Sequence, residues 1–146
     1  MKRLLLGAVI GLTVFMMCGC GNGINYDLPD EPIKFNTQTF VSPADKDDTY
    51  SAIKYNDRLY IPYGTLGNTL KGEDVGECLG YIVQDGVADE NTRVYVLTAD
   101  KDLNYLALIN TEGFMDQTIF YRAEDTRGKD TDTPSYIESL DYDLWR

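Results

Sequence analysis

The chain has 146 residues, with 24 acidic against 13 basic side chains and no histidine, for a net charge of −11. The length fits one domain, and the acidic surplus disfavours nucleic acid, whose phosphates are held by Lys and Arg. The missing imidazole removes Ser–His and Cys–His nucleophile pairs and every histidine-ligated metal site.

The first segment reads as a targeting signal. Met1-Lys2-Arg3 is a charged start, and Leu4 to Met17 is a 14-residue run without charges. That run is short for a bilayer span, which takes about 20 apolar residues, and it fits the apolar core of a secretory signal. The stretch Met17-Cys18-Gly19-Cys20 resembles the end of a bacterial lipoprotein precursor signal, in which an apolar, a variable and a small residue precede the lipid-bearing cysteine. Two registers present themselves. Lipid on Cys18 would place the bulky Met17 at the cut, whereas lipid on Cys20 places Gly19 there, so Cys20 is the expected attachment site. The resemblance covers only about the first 20 residues.

It implies an exported chain on the outward face of a bacterial cell membrane, with at least two acyl chains on Cys20. Two chains anchor stably where one does not. Removal of residues 1–19 takes Lys2 and Arg3 with it, leaving 11 basic residues against 24 acidic ones and a net charge of −13. Such a surface repels anionic headgroups, so attachment rests on the lipid rather than on a basic patch. Of the three cysteines, Cys18 is discarded and Cys20 blocked, which leaves Cys78 alone and no internal disulfide framework.

Residues 20–37, with Gly21, Gly23, Pro29, Pro32 and several acids, read as a flexible tether. Residues 38–146 read as a single mainly β domain. TYSAIKYNDRLYIPYG (49–64) predicts a hairpin around Asn56-Asp57, with Pro62 ending the second strand or lying at an edge. Residues 64–77 carry four glycines and predict a long loop. CLGYIVQ (78–84), TRVYVLTAD (92–100), DLNYLALIN (102–110) and QTIFYRAE (117–124) predict further strands, with a turn or short loop over residues 85–91. The short intervals favour an antiparallel meander. Residues 124–133 read as a polar loop. Thr133 as N-cap, Pro134 at the first helical position, and Ile137, Leu140 and Leu144 on one face predict a short terminal helix, frayed by Asp141 and Asp143. The fold class expected is therefore mainly β, a small antiparallel sheet, sandwich or partly open barrel with a short C-terminal helix.

Candidate chemistry is sparse, and no catalytic residue or cofactor is expected. Cys78 lacks a base and reads as a small core residue. The acidic clusters Glu73, Asp74, Glu77 and Asp45, Asp47, Asp48 read as solvated loops, although two converging carboxylates would suit acid–base work. Asp100, Asp102 and Asn104 alternate like the start of an EF-hand, but the sixth and twelfth positions from Asp100 are Tyr105 and Thr111 rather than Gly and Glu; they form a weak metal candidate. Eleven tyrosines are many for this length, and most fall near predicted strands. They read as sheet packing or as a recognition face, with Tyr60 and Tyr63 beside Pro62 the candidates for ligand contact. YNDRLYIPYG also resembles the strand-turn-strand signature of some bacterial surface repeat domains, including the copper amine oxidase N-terminal-like type, which has glycine where Asp57 stands.

The function expected is a membrane-tethered surface lipoprotein serving as a non-enzymatic binding module for an envelope protein or a glycan. A carboxylate-dependent glycan-active enzyme and a structural accessory subunit of an envelope complex are the alternatives.

Overall fold

A computed structural model describes residues 23–68, 70–112 and 118–146. Its strands are β1 (Ile33–Asn36), β2 (Gln38–Val41), β3 (Thr49–Tyr55), β4 (Arg58–Leu66), β5 (Val75–Gln84), β6 (Val87–Leu97), β7 (Tyr105–Asn110), β8 (Ile119–Ala123) and β9 (Ile137–Ser139), with 3-10 turns at Glu124–Thr126 and Asp143–Trp145. The fold is mainly β, as the composition of the strands requires. Among the described residues no helix is long and apolar enough to cross a membrane.

The strand order β1-β5-β6-β7-β8-β4-β3-β2 makes one sheet, with β9 added to β4. Its two ends are β1 and β2, which are consecutive in the chain and separated only by Thr37. They behave as one kinked strand that joins both edges and curls the sheet into a nearly closed barrel. At the kink the Thr37 amide still donates to the Val83 carbonyl of β5 (2.9 Å). β1 runs parallel to β5, while the other paired neighbours are antiparallel.

Two hairpins follow from turn chemistry. Asn56 and Asp57 both take positive φ (49° and 60°), as do Asp85 and Gly86 (51° and 78°). These are the conformations a two-residue primed turn demands and that Asn, Asp and Gly tolerate best.

Both faces of the sheet are covered. Along β7, Leu106 and Leu108 point into one cluster with Phe35, Ile53, Tyr60, Ile82 and Val94. Tyr105, Ala107 and Ile109 point to the other face, packed with Tyr95, Phe120, Leu70 and Tyr136. This is the period-two alternation of a strand buried on both sides. The covering layer comes from the β4–β5 connection through Leu70, from Ile24 and Tyr26, and from Tyr136 and Ile137. A third cluster places Leu144 on Ala52 and Ile61.

Several sequence expectations are corrected. The tether assigned to residues 20–37 contains β1, and Phe35 is 2% exposed in the core; residues 20–22 lie outside the described residues. Pro62 does not end its strand, because a register shift between Pro62 and Gly64 lets β4 continue against β8. The loop expected over 64–77 shrinks to 67–74, and the turn expected over 85–91 to two residues, since β5 and β6 extend into both.

The short terminal helix is only a 3-10 turn, Asp143–Trp145. Residues 137–139 pair with Gly64–Leu66, the stretch of β4 beyond its pairing with β3. Gly64 makes this feasible, since a Cβ there would overlap the Glu138 carbonyl. Asp141 at φ 58° then breaks the chain direction, Leu140 stays 43% exposed, and Thr133 bonds the Tyr105 hydroxyl (2.6 Å). The apolar spacing at 137, 140 and 144 therefore serves a strand and a 3-10 turn.

Candidate functional site

Cys20 lies outside the described residues. Tyr60 is fully buried, and its hydroxyl donates to the Leu103 carbonyl at 2.7 Å, so it holds the core and does not face a ligand. Tyr63 is half-buried, its ring edge-on to Tyr105 (5.4 Å, 63°) and Trp145 (5.6 Å, 81°). Neither stands on an open recognition face. Cys78 is half-buried in the outer layer, where burial pushes its thiol pKa up and away from thiolate chemistry.

Asp100, Asp102 and Asn104 share the β6–β7 loop, where Asp100 and Asn104 are engaged in protein hydrogen bonds. Asp100 is 5% exposed and accepts the Tyr105 amide at 2.6 Å, an arrangement that closes the β6–β7 loop. Burial raises its carboxyl pKa. Asp102 contributes its carbonyl, and Asn104 its side-chain oxygen, to Arg58. Among the described residues no group of three or more Cys, Asp or Glu side chains is placed to hold a metal ion.

Arg58 is the organising residue there. Nε and Nη2 grip both Asp125 oxygens (2.8 and 2.7 Å), Nη1 donates to the Asp102 and Leu103 carbonyls (3.0 and 2.8 Å), and Nη2 also reaches Asn104 Oδ1 (3.1 Å). The planar fork ties the start of β4 to the β6–β7 loop and to the turn after β8. Arg58→Ala should cost about 2–3 kcal/mol in a urea melt at neutral pH. Asp125→Asn should cost less than about 1 kcal/mol, since that carboxylate is largely exposed. The Arg58 hydrogen bonds hold the Asp125 pKa below its ordinary value. Its contribution is therefore complete above the unfolded carboxylate pKa and disappears as the pH falls through the depressed one. The gap between wild type and Asp125→Asn should begin to narrow as the pH falls below about 4 and close only below the depressed folded-state value.

A candidate recognition surface lies elsewhere. An open groove of about 590 Å³ is lined by Ser42, Ala44, Asp45, Asp47, Asp48 and Asp143. The β2–β3 connection is shaped locally: the Ser42 amide donates to the Asp48 carbonyl (2.8 Å), and Asp45 Oδ1 accepts the Asp47 amide (2.9 Å). Tyr50 donates its hydroxyl to Asp48 Oδ2 (2.5 Å), and this bond, more than burial, pushes its pKa up to about 12. Tyr142 packs edge-on against Tyr50 (5.3 Å, 73°). Asp143 reaches Arg146 (3.1 Å), an exposed pair of little energetic weight.

Carboxylates beside half-buried tyrosines can attract an ammonium or guanidinium group, or bond sugar hydroxyls. Of these residues, the sequence reading singled out only Asp45, Asp47 and Asp48, as a solvated loop. From sequence, Tyr50 reads as a hairpin residue and Asp143 as a helix-end charge, and only the fold brings them beside one another. No protein-family model, curated protein or solved structure matches the chain.

Proposed function

We propose that the chain is a membrane-tethered surface lipoprotein of a bacterial envelope, lipidated on Cys20, whose barrel is a non-enzymatic binding module for a basic segment of an envelope protein. The observation that carries the binding reading is the open groove lined by four aspartates, one of which, Asp48, holds Tyr50 of the Tyr50–Tyr142 pair. The anchor rests on the charged start, the apolar run to Met17 and the Gly19-Cys20 junction. A strongly acidic surface keeps such a domain soluble and favours cationic partners through steering.

For the anchor, Cys20→Ala should abolish lipid labelling and membrane retention, while Cys18→Ala leaves both intact. The opposite pattern reverses the register. For binding, cross-linking in native membranes and glycan binding are to be compared between wild type and the combined Asp45→Asn, Asp47→Asn, Asp48→Asn variant. The substitution should weaken capture by about tenfold or more, with a matching loss in high salt. A variant that folds and captures as wild type does, or a wild type that captures neither protein nor glycan, rejects the module. Glycan capture without a protein partner replaces the basic segment with a sugar ligand.

A further inference from the structure

The residues that follow the anchor are bound into the domain. Ile24 and Tyr26 pack against the outer cluster. The Tyr95 hydroxyl donates to the Asn25 carbonyl (3.0 Å), and Asn25 Oδ1 accepts the Asp27 amide (2.9 Å). Gly23 lies against Gly72 of the β4–β5 connection so closely that a Cβ on Gly72 would overlap the Gly23 carbonyl. Gly72 is thus a seat for the entering backbone. Three peptide steps separate Cys20 from Gly23, and a chain reaches at most about 11 Å over that distance.

We infer that the β4–β5 connection around Lys71, Gly72 and Glu73 is a membrane-apposed face, held against the lipid headgroups by a leash too short to let the domain move away. This rests on lipidation of Cys20 as proposed above. Acyl chains on that cysteine sit in the hydrocarbon, and the headgroup layer on each side is only about 5–8 Å deep. Whatever way the barrel tilts, Gly72 stays within about one leash length of the headgroup surface. Lys71 and Glu73 beside it are 68% and 75% exposed and only loosely paired (3.9 Å), so nothing among the described residues covers them. Charge does not cause the apposition. The chain is acidic, and at this range, close to the Debye length of about 8 Å, an anionic bilayer would push the domain outward. The leash and the Gly23–Gly72 seat oppose that push.

The test uses lipidated full-length protein in phosphatidylcholine vesicles bearing a headgroup quencher, with a fluorophore on Glu73→Cys in a Cys78→Ala background. The label should be strongly quenched. A glycine–serine insertion of about twenty residues between Asn22 and Gly23, whose mean span is about 25 Å, should relieve that quenching by about threefold or more. Gly72→Val, which unseats Gly23, should relieve it partially while circular dichroism shows the sheet retained. Vesicle-bound protein whose label at 73 is unquenched, or indifferent to the insertion, overturns the apposition alone. Wild-type protein from an expressing bacterium that carries no lipid on Cys20 overturns the anchor reading, and this inference with it.

Discussion

Arg122→Ala is expected to lower the unfolding free energy by about 3–5 kcal/mol, measured by urea denaturation at neutral pH. Arg122 projects from β8 on the outer face and is only 6% exposed. Among the described residues no carboxylate pairs with it. Its charge is held by hydrogen bonds to Thr126 Oγ1 (2.8 Å) and to the carbonyls of Thr126 (3.0 Å) and Lys129 (2.8 Å). The rings of Trp145, Tyr63 and Tyr105 surround it, with centroids 4.9, 5.1 and 5.9 Å away. Alanine leaves a cavity under the C-terminal segment and removes the donor to Thr126 Oγ1 and to the Lys129 carbonyl, while the Thr126 carbonyl keeps only the Lys129 amide (3.0 Å).

Arg122→Met separates the two effects, because it restores volume but not the donors. It should recover roughly half of the loss. The chain's single tryptophan reports the same event, since Trp145 loses its cationic neighbour and its fluorescence should shift to the red in the alanine variant. An alanine variant within about 1 kcal/mol of wild type contradicts this role.

Gly80→Val should cost about 4 kcal/mol or more and lower the melting temperature by about 15 °C. Gly80 is opposite Ile33 in the β1–β5 pair, and a Cβ there would overlap the Ile33 carbonyl. Backbone rather than a flexible side chain is in the way, so β1 must move. Its departure removes Phe35 from the interior cluster and breaks the bond from Thr37 to Val83. Because β1 and β2 together join the sheet edges, the barrel opens at that seam. Hydrogen exchange should accelerate at Ile33–Asn36 before it does in β6 or β7. Unchanged exchange in β1 would mean that the seam does not depend on this contact.

What could be read from the sequence was what local chemistry decides. Asn56-Asp57 and Asp85-Gly86 announce their turns because few residues adopt positive φ. Tyr105 to Ile109 announces a strand because residues buried on both faces make a short continuous apolar run. β1 was hidden because its partner, Gly80, is far away in the chain and its flanks carry Pro29 and Pro32, which also suit a linker.

The C-terminal segment reads as a longer helix than its 3-10 turn for a related reason. Ile137, Leu140 and Leu144 fit helical spacing equally well, and only the unpaired end of β4 decides for a strand. Tyr60 and Tyr63 read from sequence as ligand contacts because alternation tells which residues share a face, but not which later segment covers it. Here the β6–β7 loop receives the Tyr60 hydroxyl and Trp145 covers Tyr63. Tyr50 and Tyr142 are distant in sequence, and only the fold brings them together beside the groove.

As proposed, Cys20 is the anchored first residue of a chain whose packing begins a few residues later. Intact-mass and N-terminal peptide analysis of the chain from membranes of an expressing bacterium tests this directly. The predicted result is a mature chain that begins at Cys20 and carries at least two acyl chains. A lipid on Cys18, retention of Leu4–Met17 in the mature chain, or a free Cys20 thiol on a chain recovered without membrane would contradict it.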